Sequence, residues 1–158
     1  MQIFGKDDDM RIYLDSCCYN RPYDNASQLT IRLEAQSKLH IQNLVKDGLL
    51  TLVSSYMLTY ECNQNPYEIR RDSISDYIRQ YAKIYVGAEL ADQIEEMAAD
   101  IMATGVKFKD ACHVASAIYA GCAYFISTDK RLLKYKSSEI KLVTPIEFVS
   151  RLEGKGND

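Results

Sequence analysis

Short apolar runs alternate along this chain with longer segments whose apolar residues recur every three or four positions, the spacings of buried strands and of helices with one covered face. Residues 11–15, RIYLD, read as a first strand. The loop SCCYNRPYDN follows, carrying Pro22, and Asn25 or Ser27 is suited to cap the next helix. In that helix Leu29, Leu33, Ile41, Leu44 and Val45 form one apolar stripe, and Gly48 stops it. LLTLV at 49–53 reads as a second strand, with Ser54 or Ser55 capping a helix through YMLTYECNQ that Asn65-Pro66 breaks. Residues 67–80 read as helix, KIYV at 83–86 as either a short strand or the end of that helix, and 88–103 as an amphipathic helix ended by Gly105. KFKDACHVASAIYAG opens a helix whose Ala111, Ala115 and Ala117 permit close packing on a sheet, with Gly121 as its stop. AYFIS at 123–127 and IKLV at 140–143 are the third and fourth strands, and a last helix runs from Pro145 to about Leu152. Strands alternating with helices predict an α/β fold, a three-layer α/β/α sandwich around a mostly parallel central sheet.

A chain of 158 residues holds one core of ordinary size. We expect a single domain over 10–152, residues 1–9 as an N-terminal extension ahead of a natural start at Met10, and 153–158 as a tail. With 47% apolar and 26% charged residues, disordered and collagen-like classes are excluded. A net charge of -3 argues against a broad basic face and leaves room for a local basic rim. The five cysteines form neither CxxC pairs nor zinc-type Cys/His sets and read as reduced thiols of a cytosolic protein, Cys17 and Cys18 as small buried apolar side chains. The start MQIFGKDDD lacks a secretory apolar region, and ACHVASAIYAGCAYFI, broken by His113 and Gly121, is too short to span a bilayer. The expectation is a soluble cytoplasmic protein with no membrane partner.

In a parallel sheet of this kind the carboxyl ends of the strands, and the first turns of the helices leaving them, share one edge. Asp15 ends the first strand, Glu61 lies in the second turn of the helix after the second strand, Asp110 opens the helix before the third strand, and Asp129 follows that strand. Four carboxylates should therefore meet. Glu61, three residues after Leu58 and four after Met57, shares their inward face. Two carboxylates about 5 Å apart repel by about 3 kcal/mol at an effective dielectric near 20, so a full cluster calls for a cation among them. Oxygen donors alone select Mg²⁺ or Mn²⁺ over zinc, which suits phosphodiester hydrolysis. Lys107, Lys109, Lys130, Arg131 and Arg21 would form a basic rim for the flanking phosphates.

Taken in order, YLDSCC, the helix bearing Glu61, KDACHVASA and FISTDKRLL resemble the PIN domain, the fold of VapC-type ribonuclease toxins and of several RNA-processing nucleases. The resemblance covers roughly residues 10–150. It implies an Mg²⁺- or Mn²⁺-dependent endonuclease for single-stranded RNA, often dimeric, with Asp15, Glu61, Asp110 and Asp129 in the acidic positions and, for a toxin, a separate antitoxin protein. One position departs: Cys17 stands where many relatives have Asn, and Asn20 is a candidate to replace that polar contact.

Each residue also has a plainer reading. Asp110 suits a helix N-terminus, and Asp129 suits the cap of a helix KRLLKY. Ser16 and Thr128 either hydrogen-bond the cluster or satisfy local backbone. His113 reads as an oriented packing histidine or as a group for substrate contact or proton transfer, while His40, on the apolar stripe, has no role. Among 12 tyrosines some could stack on bases, but Tyr81, Tyr85 and Tyr119 read as core or interface, and KRLLKYK as a solvated helix face. A non-cleaving PIN-like module that binds RNA or protein is the alternative function. A receiver or a haloacid-dehalogenase-type phosphatase fits less well, lacking the D-x-D pattern and the late lysine.

Overall fold

The computed structural model describes residues 10–20 and 28–157. The readings at Arg21, Pro22, Asn25 and Ser27, and of the N-terminal extension, lie outside the described residues.

Five parallel strands form one sheet in the order β3-β2-β1-β4-β5. These are β1 (Arg11–Leu14), β2 (Thr51–Ser55), β3 (Ala82–Val86), β4 (Tyr124–Ile126) and β5 (Lys141–Val143). The helices are α1 (Ser16–Asn20), α2 (Leu29–Lys46), α3 (Tyr56–Asn63), α4 (Glu68–Tyr81), α5 (Ala91–Met102), α6 (Phe108–Tyr119) and α7 (Pro145–Asn157). The α5 and α6 helices pack on each other, as do α2 and α7, and α6 lies on β2 and β4. The result is the expected α/β/α sandwich. The central strands are apolar throughout because both faces are covered: Ile12, Tyr13, Leu14, Leu52, Val53, Phe125 and Ile126 are all buried. The small Ala111, Ala115 and Ala117 are buried on α6, where a larger side chain would hold the helix off the sheet.

The second strand begins two residues later than its apolar run implies. Leu49 is spent on ending α2: its amide bonds Leu44 O at 2.9 Å while that of Gly48 bonds Val45 O at 3.0 Å, a Schellman motif with Gly48 at φ +79°. Space around Gly48 is open, so its requirement is one of backbone alone. Gly48→Ala is expected to destabilise the fold by about 1–2 kcal/mol, read as a lower urea midpoint at unchanged slope.

Other boundaries also moved. SCCYN is the short helix α1, KIYV belongs to the strand β3 and makes the sheet five-stranded, and α7 runs on to Asn157. On α2 the covered face is Lys38, Ile41 and Val45, whereas Leu29 and Leu33 are 61% and 42% exposed and His40 is exposed too. Tyr85 and Tyr119 are exposed as well, while Tyr81 packs against Tyr77 with ring centroids 5.0 Å apart.

Candidate active site

The β1 strand delivers Asp15 to the carboxyl edge, 5% exposed, and holds it with neutral donors. Its Oδ1 accepts the Ser16 amide at 2.8 Å and its Oδ2 accepts the Ser127 hydroxyl at 2.8 Å. Ser127 Oγ in turn accepts the Asp129 amide at 3.0 Å, tying the ends of β1 and β4 together. Cys18 is buried as expected, but Cys17 is not merely apolar filling. Its thiol lies 3.6 Å from both Asp15 Oδ2 and Ser127 Oγ and accepts the Thr128 amide at 3.4 Å.

From the second turns of α3 and α6 come Glu61 and His113. His113 Nε2 lies 2.6 Å from Glu61 Oε1, which also accepts the Ser16 hydroxyl at 3.1 Å. One ligand atom each from Asp15, Glu61 and His113 fall within 4.8 Å of one another. Burial alone would raise the Glu61 carboxyl, but the hydrogen bonds from His113 and Ser16 outweigh it and hold the group below its ordinary value. Asp110 goes the other way. Half-buried, it is pushed up to about 6, first by desolvation and then by the negative charges of Asp15, Asp129 and Glu61. All four acids thus share one field.

Asp129 divides its roles. Its Oδ1 accepts the amides of Arg131 at 2.9 Å and Leu132 at 3.3 Å, capping a 3₁₀ turn at Leu132–Lys134, so the capping reading holds for that oxygen. Among the described residues no lysine or arginine forms an ion pair with Asp15, Glu61, Asp110 or Asp129; Glu61 meets His113 in a hydrogen bond instead. The donor set of carboxylate oxygens, mutually repelling and with no lysine or arginine ion-paired to it among the described residues, fits a hard divalent ion.

Lys107, Lys109, Lys130 and Arg131 are exposed, and Lys109 Nζ sits 5.3 Å over the Tyr60 ring; Arg21 lies outside the described residues. Beside Asp110 opens a cleft of about 460 Å³ lined by Lys107, Arg131, Lys134, Tyr135 and Lys136. The basic run KRLLKYK is exposed at Lys130, Arg131, Lys134 and Lys136, as a solvated face would be, and its 3₁₀ turn Leu132–Lys134 with the flanking residues also forms one wall of this cleft.

Sequence reasoning passed over four polar groups behind the acids. Tyr13 shares the strand face of Asp15 at a spacing of two, and the pairing of Tyr13 with Val53 places Ser55 level with Asp15, a signal that was present. Ser127 lies beside Thr128 in the same motif. Lys38 left no usable trace: fully buried, its Nζ lies 4.6 Å from the Tyr19 ring with no hydrogen-bond partner among the described residues, and burial lowers it to about 8.

A family model described as PIN domain matches residues 12–137. No curated protein matches the chain. Among solved structures, VapBC2 from Rickettsia felis bound to a promoter DNA fragment is similar at 14% identity and TM-score 0.52, covering 84% of this chain and 97% of that one. The sarcin-ricin-loop-cleaving toxin VapC20 of Mycobacterium tuberculosis is similar at 13% identity and TM-score 0.52, covering 82% and 98%. FitAB bound to an IR36 DNA fragment is similar at 14% identity and TM-score 0.53, covering 85% and 95%. At such identities these likenesses are ones of fold. The family model, which spans most of the chain and includes both Asp15 and Asp129, decides the classification: this chain belongs to the PIN domain family.

Proposed function

We propose that the protein is a divalent-metal-dependent endoribonuclease that hydrolyses phosphodiester bonds of single-stranded RNA and serves as the toxin of a toxin-antitoxin pair, with an antitoxin protein as partner and a homodimer as its assembly. One observation carries this reading: Asp110, raised to about 6 by burial and by Asp15, Asp129 and Glu61, belongs to a group of acids with which no lysine or arginine is ion-paired among the described residues. Membership of a family whose members are generally nucleases supports it, as does the printed activity of VapC20. No described helix is long and apolar enough to cross a membrane.

In this reading Asp15, Glu61, Asp110 and Asp129 hold Mg²⁺ or Mn²⁺, with Ser16 and Thr128 supporting the cluster. Held there, such an ion would supply activation of water and neutralisation of charge at phosphorus. The chain's own residues supply position. Lys107, Lys109, Lys130 and Arg131 contact backbone phosphates around the acids. Lys134 and Lys136 extend the path along the cleft, where the Tyr135 ring offers a face for a base. Replacing Lys134 and Lys136 together by alanine is expected to flatten the log-log salt dependence of RNA binding by about 1.4, two counter-ions at about 0.7 each for a single strand. Fluorescence anisotropy across a salt series measures this.

The second reading, a PIN-like module that binds RNA or protein without cutting it, draws on Cys17, whose thiol lies against Asp15 at 3.6 Å in the departing position. Purified protein incubated with single-stranded RNA and Mn²⁺ separates the two. Cleavage that stops with a chelator and in Asp110→Asn supports the nuclease. Binding without cleavage at micromolar protein favours the module, and equal cleavage by Asp110→Asn would mean a contaminating enzyme.

A further inference from the structure

Behind Glu61 a line of buried polar groups runs back to the main chain. The Leu58 amide donates to Ser55 Oγ at 3.2 Å. Ser55 Oγ lies 2.6 Å from Tyr13 Oη, Tyr13 Oη lies 2.7 Å from His113 Nδ1, and His113 Nε2 lies 2.6 Å from Glu61 Oε1. Ser55, Tyr13 and His113 are each 0% exposed. The Tyr13 ring is pinned by stacking on Phe125, with centroids 5.3 Å apart.

The direction of this chain follows from counting hydrogens. Each hydroxyl has one to give, and a neutral imidazole gives at one nitrogen and accepts at the other. Ser55 already accepts the Leu58 amide, and among the described residues Tyr13 Oη is the one acceptor within reach of its hydroxyl hydrogen. If Ser55 donates to Tyr13, then Tyr13 donates to His113 Nδ1, and Nε2 carries the proton that points to Glu61. Every donor then has an acceptor. A proton on Nδ1 would turn the Tyr13 hydroxyl round to Ser55 and strand the Ser55 hydrogen inside the core without an acceptor.

We infer that His113 is a positioning residue and not a metal ligand: Ser55 and Tyr13 lock it as the Nε2-protonated tautomer, which holds Glu61 by Oε1 and leaves the other carboxylate oxygen to the ion. This deepens the nuclease reading and rests on it for the ion at Glu61. Proximity alone says otherwise, since His113 stands within ligand distance of Asp15 and Glu61. The proton on Nε2 decides against it. The hydrogen bond to a carboxylate also fixes the orientation of that carboxylate, as outer-shell partners do at other metal sites.

The test reads the proton directly. In the isotope-labelled, metal-free full chain, long-range proton-nitrogen correlation spectra separate His113 from the exposed His40, the only other histidine. The expected pattern for His113 is an unprotonated Nδ1 and a protonated Nε2, unchanged when Mg²⁺ is added to saturation. A protonated Nδ1, or loss of the Nε2 proton on adding Mg²⁺, would overturn the assignment. Tyr13→Phe keeps the stacked ring and removes the hydroxyl. Because Glu61 still accepts the Nε2 proton, the tautomer is expected to persist, with the Nδ1 resonance shifted by loss of its hydrogen bond and Mn²⁺ binding weakened about tenfold by calorimetry. An unshifted Nδ1 resonance together with unchanged Mn²⁺ affinity in Tyr13→Phe would also overturn it, because the Tyr13 hydroxyl would then have no part in setting His113 and Glu61. Should wild-type protein bind no Mg²⁺ or Mn²⁺ while showing the expected tautomer, the nuclease reading fails and the hydrogen-bond direction stands.

Discussion

Asp15→Asn is expected to lower metal-dependent RNA cleavage by on the order of a thousandfold, the equivalent of about 4 kcal/mol of lost stabilisation of developing charge. The expectation comes from where Asp15 sits. It is buried at the end of the central strand, and every hydrogen bond its carboxylate makes is one it accepts, from the Ser16 amide and the Ser127 hydroxyl, with the Cys17 thiol beside them. An asparagine presents an amide hydrogen where one of those donors now points, so a stability loss of about 1–3 kcal/mol accompanies the loss of activity. The two effects separate by measurement. Circular dichroism and a denaturant titration report the fold, while single-turnover cleavage of labelled RNA reports the site. A further consequence distinguishes charge from shape: desolvation is the first cause of the rise of Asp110 and stays, but the charge of Asp15 comes next, so carboxyl NMR should show Asp110 lowered in the variant while still above its ordinary 3.8. A folded Asp15→Asn protein that cleaves within tenfold of wild type would remove Asp15 from the site.

The second large effect is in pH. Ion binding at the cluster has to displace the proton of Asp110, whose value of about 6 lies far above the ordinary 3.8. Apparent Mn²⁺ affinity should therefore rise about tenfold per pH unit up to 6 and level off above it, a total of roughly a hundredfold between pH 4 and pH 7 from this group. The sign for stability is opposite. With its folded value raised, Asp110 binds more protons in the native state than in the unfolded one, so its contribution to metal-free stability falls as pH rises from about 4 to about 6. Glu61, held low by His113 and Ser16, works in the other direction, adding stability that is lost as pH drops through its folded value. Saturating Mg²⁺ should then raise the melting temperature more at pH 7 than at pH 5. An equal rise at both values would show that Asp110 does not face the ion.

Much of this was legible from spacing. The strand at Arg11–Leu14, the helix stopped by Gly48 and the helix opened by Lys107 follow from local rules, since strand burial, glycine at positive φ and small residues on a packed face each leave a mark within a few residues. Where local signals competed, pattern misled. Leu49 and Leu50 look like strand, but the Schellman motif claims Leu49. SCCYN looks like loop and is α1, because Asp15 N and O are bonded to Ile126 O and Cys18 N and start the turn. Lys38 replaces Leu33 on the covered face of α2, a choice set by which neighbours surround the helix.

Periodicity and order along the chain were enough to place four acids at one edge of a parallel sheet, because strand direction and helix polarity propagate from residue to residue. The hydrogen-bond line from Ser55 through Tyr13 and His113 to Glu61, the wall that Lys134 and Lys136 make beside Asp110, and the turn whose amides Asp129 Oδ1 holds were out of its reach. They join groups up to a hundred positions apart, at distances of a single hydrogen bond. Contacts of that length depend on the packing of β1, β2, α3 and α6 together, and no window of sequence contains it.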